Sequence, residues 1–232
     1  MKIKVFYTLF FLVFFISDAI SQGLKKIILQ DDGQFGSFTF YLGESVILQL
    51  SKDGQLTNWG VDLYESAGRN DNYNGKLEPY TGKTGYFTDL DDSSFRGKLK
   101  FIGRHYLTWY ASYESKFLQG KLKSVGNVFI TYYESYEDEA YRGFVKSIGS
   151  QSITWHRSFE HQTLRGKLKS VASTQLRYYG PVDDKAFRGK IKSIGNSTYT
   201  YYSSLDRQGF GGSLKTGQMA VFESGIKYSL GW

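Results

Sequence analysis

Metal chemistry would have to come from the histidines, of which the chain has three: His105, His156 and His161. His156, Glu160 and His161 lie close enough in sequence to suggest a site, but zinc needs three or four convergent ligands. His156 also stands in a column otherwise filled by tyrosines, so it reads as a substituted repeat residue. Asn70, Asn72, Asn74 and Gly75 imitate the start of a calcium loop. The twelfth position there is Thr81 rather than a bidentate glutamate, so a polar turn is expected. Asp89, Asp91 and Asp92 form an acidic cluster of the kind that solvated turns carry. Gly82-Lys83-Thr84 has the close of a phosphate-binding loop, yet the glycine required five places upstream is Leu77. The chain has no cysteine, hence no thiol nucleophile, and no Ser-His-Asp or paired-carboxylate arrangement stands out. The residues predict no enzyme, no cofactor and no metal.

What recurs instead is chemistry suited to binding. Lys100, Lys123, Lys146, Lys169, Lys192 and Lys215 each stand three places after a glycine. Tyr110, Tyr133, His156, Tyr179 and Tyr202 form an aromatic column thirteen places after the same glycines, omitting the last. An acidic column, Glu114, Glu137, Glu160, Asp183 and Asp206, stands seventeen places after them. In the plainer reading the acids neutralise the bases across strands, each exposed pair adding about 0–1 kcal/mol. In the sharper one, Lys100, Lys123, Lys146, Lys169 and Lys192 with Tyr110, Tyr133, Tyr179 and Tyr202 make a flat platform. Such a platform would bind a polysaccharide or an anionic cell-surface polymer through charge and ring stacking.

The glycines that index these columns are Gly97, Gly120, Gly143, Gly166, Gly189 and Gly212, always 23 residues apart. An apolar residue precedes each by two places, and Leu99, Leu122, Val145, Leu168, Ile191 and Leu214 follow by two. A fixed period with this many matched columns marks tandem repeats. Gly33, Gly54 and Gly75 continue the series toward the N-terminus at steps of 21, 21 and 22 residues. They read as degenerate members of one array.

Each unit holds two strand-like runs, such as Gly120–Val125 and Val128–Tyr133, separated by a Gly-Asn or Gly-Ser turn signal. A polar loop leads to the next unit, and the period has no room for a helix. The expected fold is all-β: hairpin repeats forming one long antiparallel meander sheet, with a β-solenoid as the alternative. Strict alternation would put the apolar residues of both runs on one face only if the hairpin loop had an odd number of residues. The resulting apolar strip is too long to face water, so the sheet must curl, be covered or self-associate through that face.

Residues 1–21 have the pattern of a leader: Lys2 and Lys4, an apolar run from Val5 to Ile16, then small residues ending in Ser21. Cleavage is expected before Gln22, which makes the protein secreted, periplasmic or surface-bound. Its removal takes two positive charges and one negative from the formal +7, leaving +6. An exported protein of this modest basicity is not expected to meet nucleic acid. The mature chain then divides into residues 22–94, the degenerate repeats; 95–217, five to six regular repeats; and 218–232, capping strands. The terminal alternation Ile226, Tyr228, Leu230, Trp232 allows a second reading as an outer-membrane β-barrel, although runs of six or seven residues are short for a bilayer.

Two hairpin families resemble this layout over about residues 95–216. Phe187-Arg188-Gly189-Lys190 with Tyr199-Thr200-Tyr201 resembles the MORN repeat, without that repeat's internal Gly-x-Gly. Gly189-Lys190-Ile191 with Thr198-Tyr199-Thr200-Tyr201 resembles the YD repeat of bacterial surface and toxin shells, with Tyr202 where its Asp would stand. Both resemblances imply a scaffolding or interaction role. Taken together, the sequence predicts an exported, non-enzymatic repeat protein that acts by contact.

Overall fold

Aromatic and β-branched residues in short alternating runs favour pleated sheet, and the described chain contains strands and no helix. A computed structural model describes residues 23–43, 45–62, 77–206 and 209–231. The leader and the calcium-like run Asn70–Gly75 lie outside the described residues. The strands are β1 (Gly23–Gln30), β2 (Phe35–Gly43), β3 (Val46–Leu50), β4 (Leu56–Val61), β5 (Thr84–Tyr86), β6 (Leu99–Ile102) and β7 (His105–Trp109). They continue as β8 (Leu122–Val125), β9 (Val128–Tyr132), β10 (Val145–Ile148), β11 (Gln151–Trp155), β12 (Leu168–Val171) and β13 (Thr174–Tyr178). The last are β14 (Ile191–Ile194), β15 (Ser197–Thr198), β16 (Thr200–Tyr201), β17 (Leu214–Thr216), β18 (Ala220–Glu223) and β19 (Ile226–Gly231).

Strands β5 to β15 form the expected meander, an eleven-stranded antiparallel sheet in sequence order. Neighbouring strands are antiparallel throughout, which excludes the solenoid, and β5 and β15 remain separate edges, so the sheet does not close into a barrel. Strands β16 and β17 pair beyond it. Of the residues read as N-terminal units, β1 to β4 form hairpins but lie in a second sheet of order β18-β19-β1-β2-β3-β4, β5 joins the meander, and the unit around Gly75 lies outside the described residues. Its one parallel pair joins β1 to β19, with Ile27 opposite Tyr228 and Leu29 opposite Leu230.

This second sheet roofs the apolar strip. Ile27, Leu29, Phe38, Phe40, Leu48 and Leu50 share one buried cluster with Leu122, Ile130, Val145, Ile153, Leu168 and Ile191. Burying such an aliphatic side chain stabilises by about 1.5–3 kcal/mol, so the two sheets depend on each other. Their rims are also bonded: Val145 N donates to Lys52 O at 2.8 Å, and Lys167 Nζ donates to Asp32 O at 2.9 Å.

The hairpin register corrects the odd-loop expectation. The turns have two residues: Ile102 faces His105 across Gly103-Arg104, and Val125 faces Val128 across Gly126-Asn127. Gly126 has φ +54°, the positive value that a tight turn with its twist matched to the strands requires at its first position. The apolar faces coincide because each unit carries a β-bulge. Thr108 pairs with Ser124 and Trp109 with Leu122, so Lys123 is the extra residue. The same skip falls at Lys100, Lys146, Lys169, Lys192 and Lys215. The bulge turns each of these lysines away from the roof and lets Leu99 and Ile102 both point into it.

Candidate functional site

The lysine and tyrosine columns picked out by the sequence come together, and they bond to each other. Lys123 Nζ lies 5.0 Å from the Tyr110 ring centroid and 2.9 Å from Glu114 Oε1. Lys146 repeats this with Tyr133 at 5.2 Å and Glu137 at 3.0 Å. Lys192 lies over Tyr179, Lys100 over Phe87 and Lys215 over Tyr202, while Lys169 pairs with Glu160. The hydrogen bonds that Lys123 and Lys146 donate to Glu114 and Glu137 raise the pKa of both lysines. The hydroxyls are committed as well: Tyr110, Tyr133 and Tyr179 donate to the carbonyls of Ile130, Ile153 and Tyr199 at 2.8–3.0 Å. Each ring thus ties one unit to the next.

The inner face repeats the arrangement under the roof. Trp109 and Trp155 donate from Nε1 to Leu99 O and Val145 O, and the Tyr132 and Tyr178 hydroxyls donate to Leu122 O and Leu168 O. A second row of lysines bridges the loops: Lys98, Lys121 and Lys167 donate to the carbonyls of Gly120, Gly143 and Gly189. On the outer face Thr108 and Ser124 share a hydroxyl bond of 2.7 Å, repeated by Thr131 with Ser147 and Thr154 with Ser170 at 2.6 Å.

His156 interrupts the tyrosine column. Its Nδ1 bonds Glu160 Oε2, whose hydrogen bonds outweigh burial and lower the Glu160 pKa. His161 bonds Thr163 instead, and no group of metal-binding side chains converges among the described residues. The His156 Nε2 is buried without a hydrogen-bond partner, a costly state for a polar atom. His156→Tyr places a hydroxyl where its neighbours in the column reach a carbonyl twenty residues on, here that of Leu176. The variant is expected to gain about 1 kcal/mol and roughly 2–4 °C in Tm, measured by calorimetry; a lower Tm would refute this account of the column.

One column is held far more loosely, its ring contact being Arg157 at 5.7 Å over Phe159, and reasoning from the sequence passed over it. Leu90, Tyr113, Tyr136, Phe159, Val182 and Leu205 recur every 23 residues and are 76–99 % exposed. Their shared position, sixteen places after a repeat glycine for the last five, was the available signal. Each stands third in a four-residue turn that the acidic column closes. Glu114 N donates to Ala111 O at 3.1 Å, and Ala111 N donates back to Glu114 Oε2 at 2.7 Å. Asp91 with Thr88, Glu160 with Arg157, Asp183 with Gly180 and Asp206 with Ser203 do the same. The turns are then tied in pairs: Asp92, Asp138 and Asp184 accept from both the amide and the hydroxyl of Ser112, Ser158 and Ser204. Hydrogen bonds from Ser94 and Ser112 hold the Asp92 carboxyl far below the usual carboxylate range.

The result is a ridge of six apolar side chains on braced turns. Two strands per unit put neighbouring members about 10 Å apart and the ends about 50 Å apart. Gln119, Arg142, Arg165 and Arg188 bond the carbonyls immediately after Tyr113, Tyr136, Phe159 and Val182, so a polar side chain flanks each of these. Other exposed aromatics lack this regularity: Tyr106 and Phe129 give way in the next units to Ser152 and Gln175. Compared with known proteins, the chain matches no family model, no curated protein and no solved structure.

Proposed function

We propose that this is an exported, non-enzymatic binding protein whose ridge lies along a polysaccharide chain. The single observation that carries the reading is the six-member exposed column in a scaffold whose other repeated side chains bond internally. Tyr113, Tyr136 and the Phe159 face turned away from Arg157 offer ring surface to the C–H faces of sugars. The oxygen lone pairs of Ser112 and Ser158, the Gln119 Oε1 and the guanidinium N–H groups that the turn carbonyls leave over stand beside them to meet hydroxyls. Contacts at a constant spacing suit a polymer that repeats its own chemistry, and several weak ones in line gain by avidity. A purely anionic partner is less well served, because the Lys123, Lys146 and Lys169 charges are already paired with glutamates.

The test is co-sedimentation of the mature chain with insoluble cellulose, chitin and β-1,3-glucan, in low and in high salt. Binding to at least one is expected to survive high salt, since screening weakens charge attraction and spares stacking. The triple variant Tyr113→Ala, Tyr136→Ala, Phe159→Ala is expected to bind roughly 100-fold more weakly, with stability changed by no more than about 0.5 kcal/mol per site. Equal binding by the variant, or binding to anionic vesicles in place of every polysaccharide, would overturn the reading.

A further inference from the structure

The loop at Gly97 differs from later junctions of the array. A Cβ placed on Gly120 would lie 2.6 Å from Ser94 O, on Gly166 2.9 Å from Ala140 O, and on Gly212 2.5 Å from Ala186 O. Each of these loops is seated on the one before it. At Gly97 a Cβ would meet nothing within 4 Å among the described residues. At this end the edge strand of the roof, β4, and the edge of the meander, β5 and β6, line a cleft of about 320 Å³.

Its walls are unlike the dry interface behind it. Tyr86 belongs to the inner aromatic column, whose later members Trp109, Tyr132, Trp155, Tyr178 and Tyr201 are buried under the roof, yet it is 50 % exposed. Trp59 and Trp109 complete an aromatic lining, and Gln55, Thr57 and Asn58 supply amide and hydroxyl groups. Asn58 Oδ1 accepts the Trp59 amide at 2.9 Å, and Thr57 Oγ1 donates to Gln49 O at 3.0 Å. The Asn58 NH₂ and the Thr57 oxygen lone pairs are the groups left to meet a ligand. Among the described residues no carboxylate lines the cleft. The one cation among the described lining residues, Lys98, already donates to Gly120 O and lies 4.7 Å from the Trp109 ring centroid.

Aromatic walls with neutral donors and acceptors, and no unspent charge, fit a neutral polyhydroxylated ring. A cation would find no counter-charge, and an apolar ligand would strip water from Gln55, Thr57 and Asn58 without replacing its bonds. The volume is at the small end for ligand sites, which suits one or two sugar rings and not the flank of a polymer. We infer that the cleft binds the terminal one or two residues of a neutral saccharide. The choice of sugar deepens the polysaccharide reading and rests on it, while the site itself is separate from the ridge.

The experiment is a titration of the mature chain with cellobiose, N,N′-diacetylchitobiose and laminaribiose, followed by tryptophan emission and by calorimetry. At least one disaccharide is expected to give saturable binding. Trp59→Ala is expected to abolish it, and Asn58→Ala, an exposed change that spares the fold, to weaken it about tenfold. The ridge triple variant is expected to bind disaccharide normally, so loss of polymer binding alone speaks only to the ridge. Two results would overturn the inference: no saturable binding of any of the three disaccharides, or binding unchanged in both Trp59→Ala and Asn58→Ala.

Discussion

Trp155→Ala is expected to cost about 3–5 kcal/mol of stability, the range for deleting a large buried aromatic. Trp155 sits at the centre of the contact between the sheets. Its ring meets Phe35 at 5.4 Å and Phe38 at 6.3 Å from the roof, and Phe144 at 5.1 Å from its own sheet. The indole N–H donates to Val145 O at 2.8 Å. Alanine removes all of these and leaves a cavity walled by rings from β2 of the roof and from the loop before β10, which cannot all collapse inward. Trp155→Phe separates the two contributions, since it keeps an aromatic ring and loses the donor; it is expected to cost about 1–2 kcal/mol. Urea unfolding followed by far-UV circular dichroism and by fluorescence measures both. Because the roof and the meander share one core, the two signals are expected to report the same single transition. A loss below 1 kcal/mol, or a roof that melts separately, would contradict the shared core.

The second large effect is alkaline unfolding. Burial pushes the hydroxyls of Tyr133, Tyr199 and Tyr228 up to about 12, and those of Tyr132, Tyr178 and Tyr201 also upward. Between pH 10 and 12 the folded chain therefore keeps protons that the unfolded chain has released. Stability is fully present below pH 10 and falls as pH rises through that window. For the fully buried Tyr199 and Tyr228, a shift of two pH units corresponds to about 2.7 kcal/mol each. Lysines act in the opposite direction over a lower range. Burial brings Lys167 down to about 8 and lowers Lys98 and Lys121, so stability gains between pH 8 and 10.5, where only the unfolded chain holds those protons. The expected profile is a modest rise toward pH 10 followed by cooperative collapse before pH 12. Urea midpoints across this range, with tyrosinate absorbance recorded in parallel, test it. If all tyrosines ionised near pH 10 while the sheet signal persisted, the burial account would be wrong.

Much of this architecture is legible from the spacing of six glycines. A 23-residue period containing a turn dipeptide and two short apolar runs leaves space for a hairpin and nothing longer. The pairing of Lys123 with Glu114 and Lys146 with Glu137 follows from the same columns. The bulge was not legible, because alternation was counted as if every residue took a place in the ladder, and Lys100 and its counterparts do not. Nor was the roof. Gly33 and Gly54 fall near the right spacing for two more units, and nothing local reveals that Ile27 will lie beside Tyr228 from the other end of the chain. The ridge was passed over for a different reason. A column of Leu, Tyr, Phe and Val looks like interior, and only the turn closed by Glu114 and its equivalents shows that these side chains are lifted out of the sheet.

Tandem arrays commonly gain or lose members when their coding sequence is duplicated or deleted. The parallel joint between β1 and β19 removes that freedom here. The roof grips the meander at fixed places, with Asp31 and Asp32 on Lys190 and Lys167, and Lys52 on Val145. Excising one unit between those anchors would shift one grip by a full step relative to the other. Inheritance can therefore replace the residues at the loop tips one at a time but cannot readily alter how many there are. Descendants of this chain should differ in which side chains stand at positions 90, 113, 136, 159, 182 and 205, and agree in length between them.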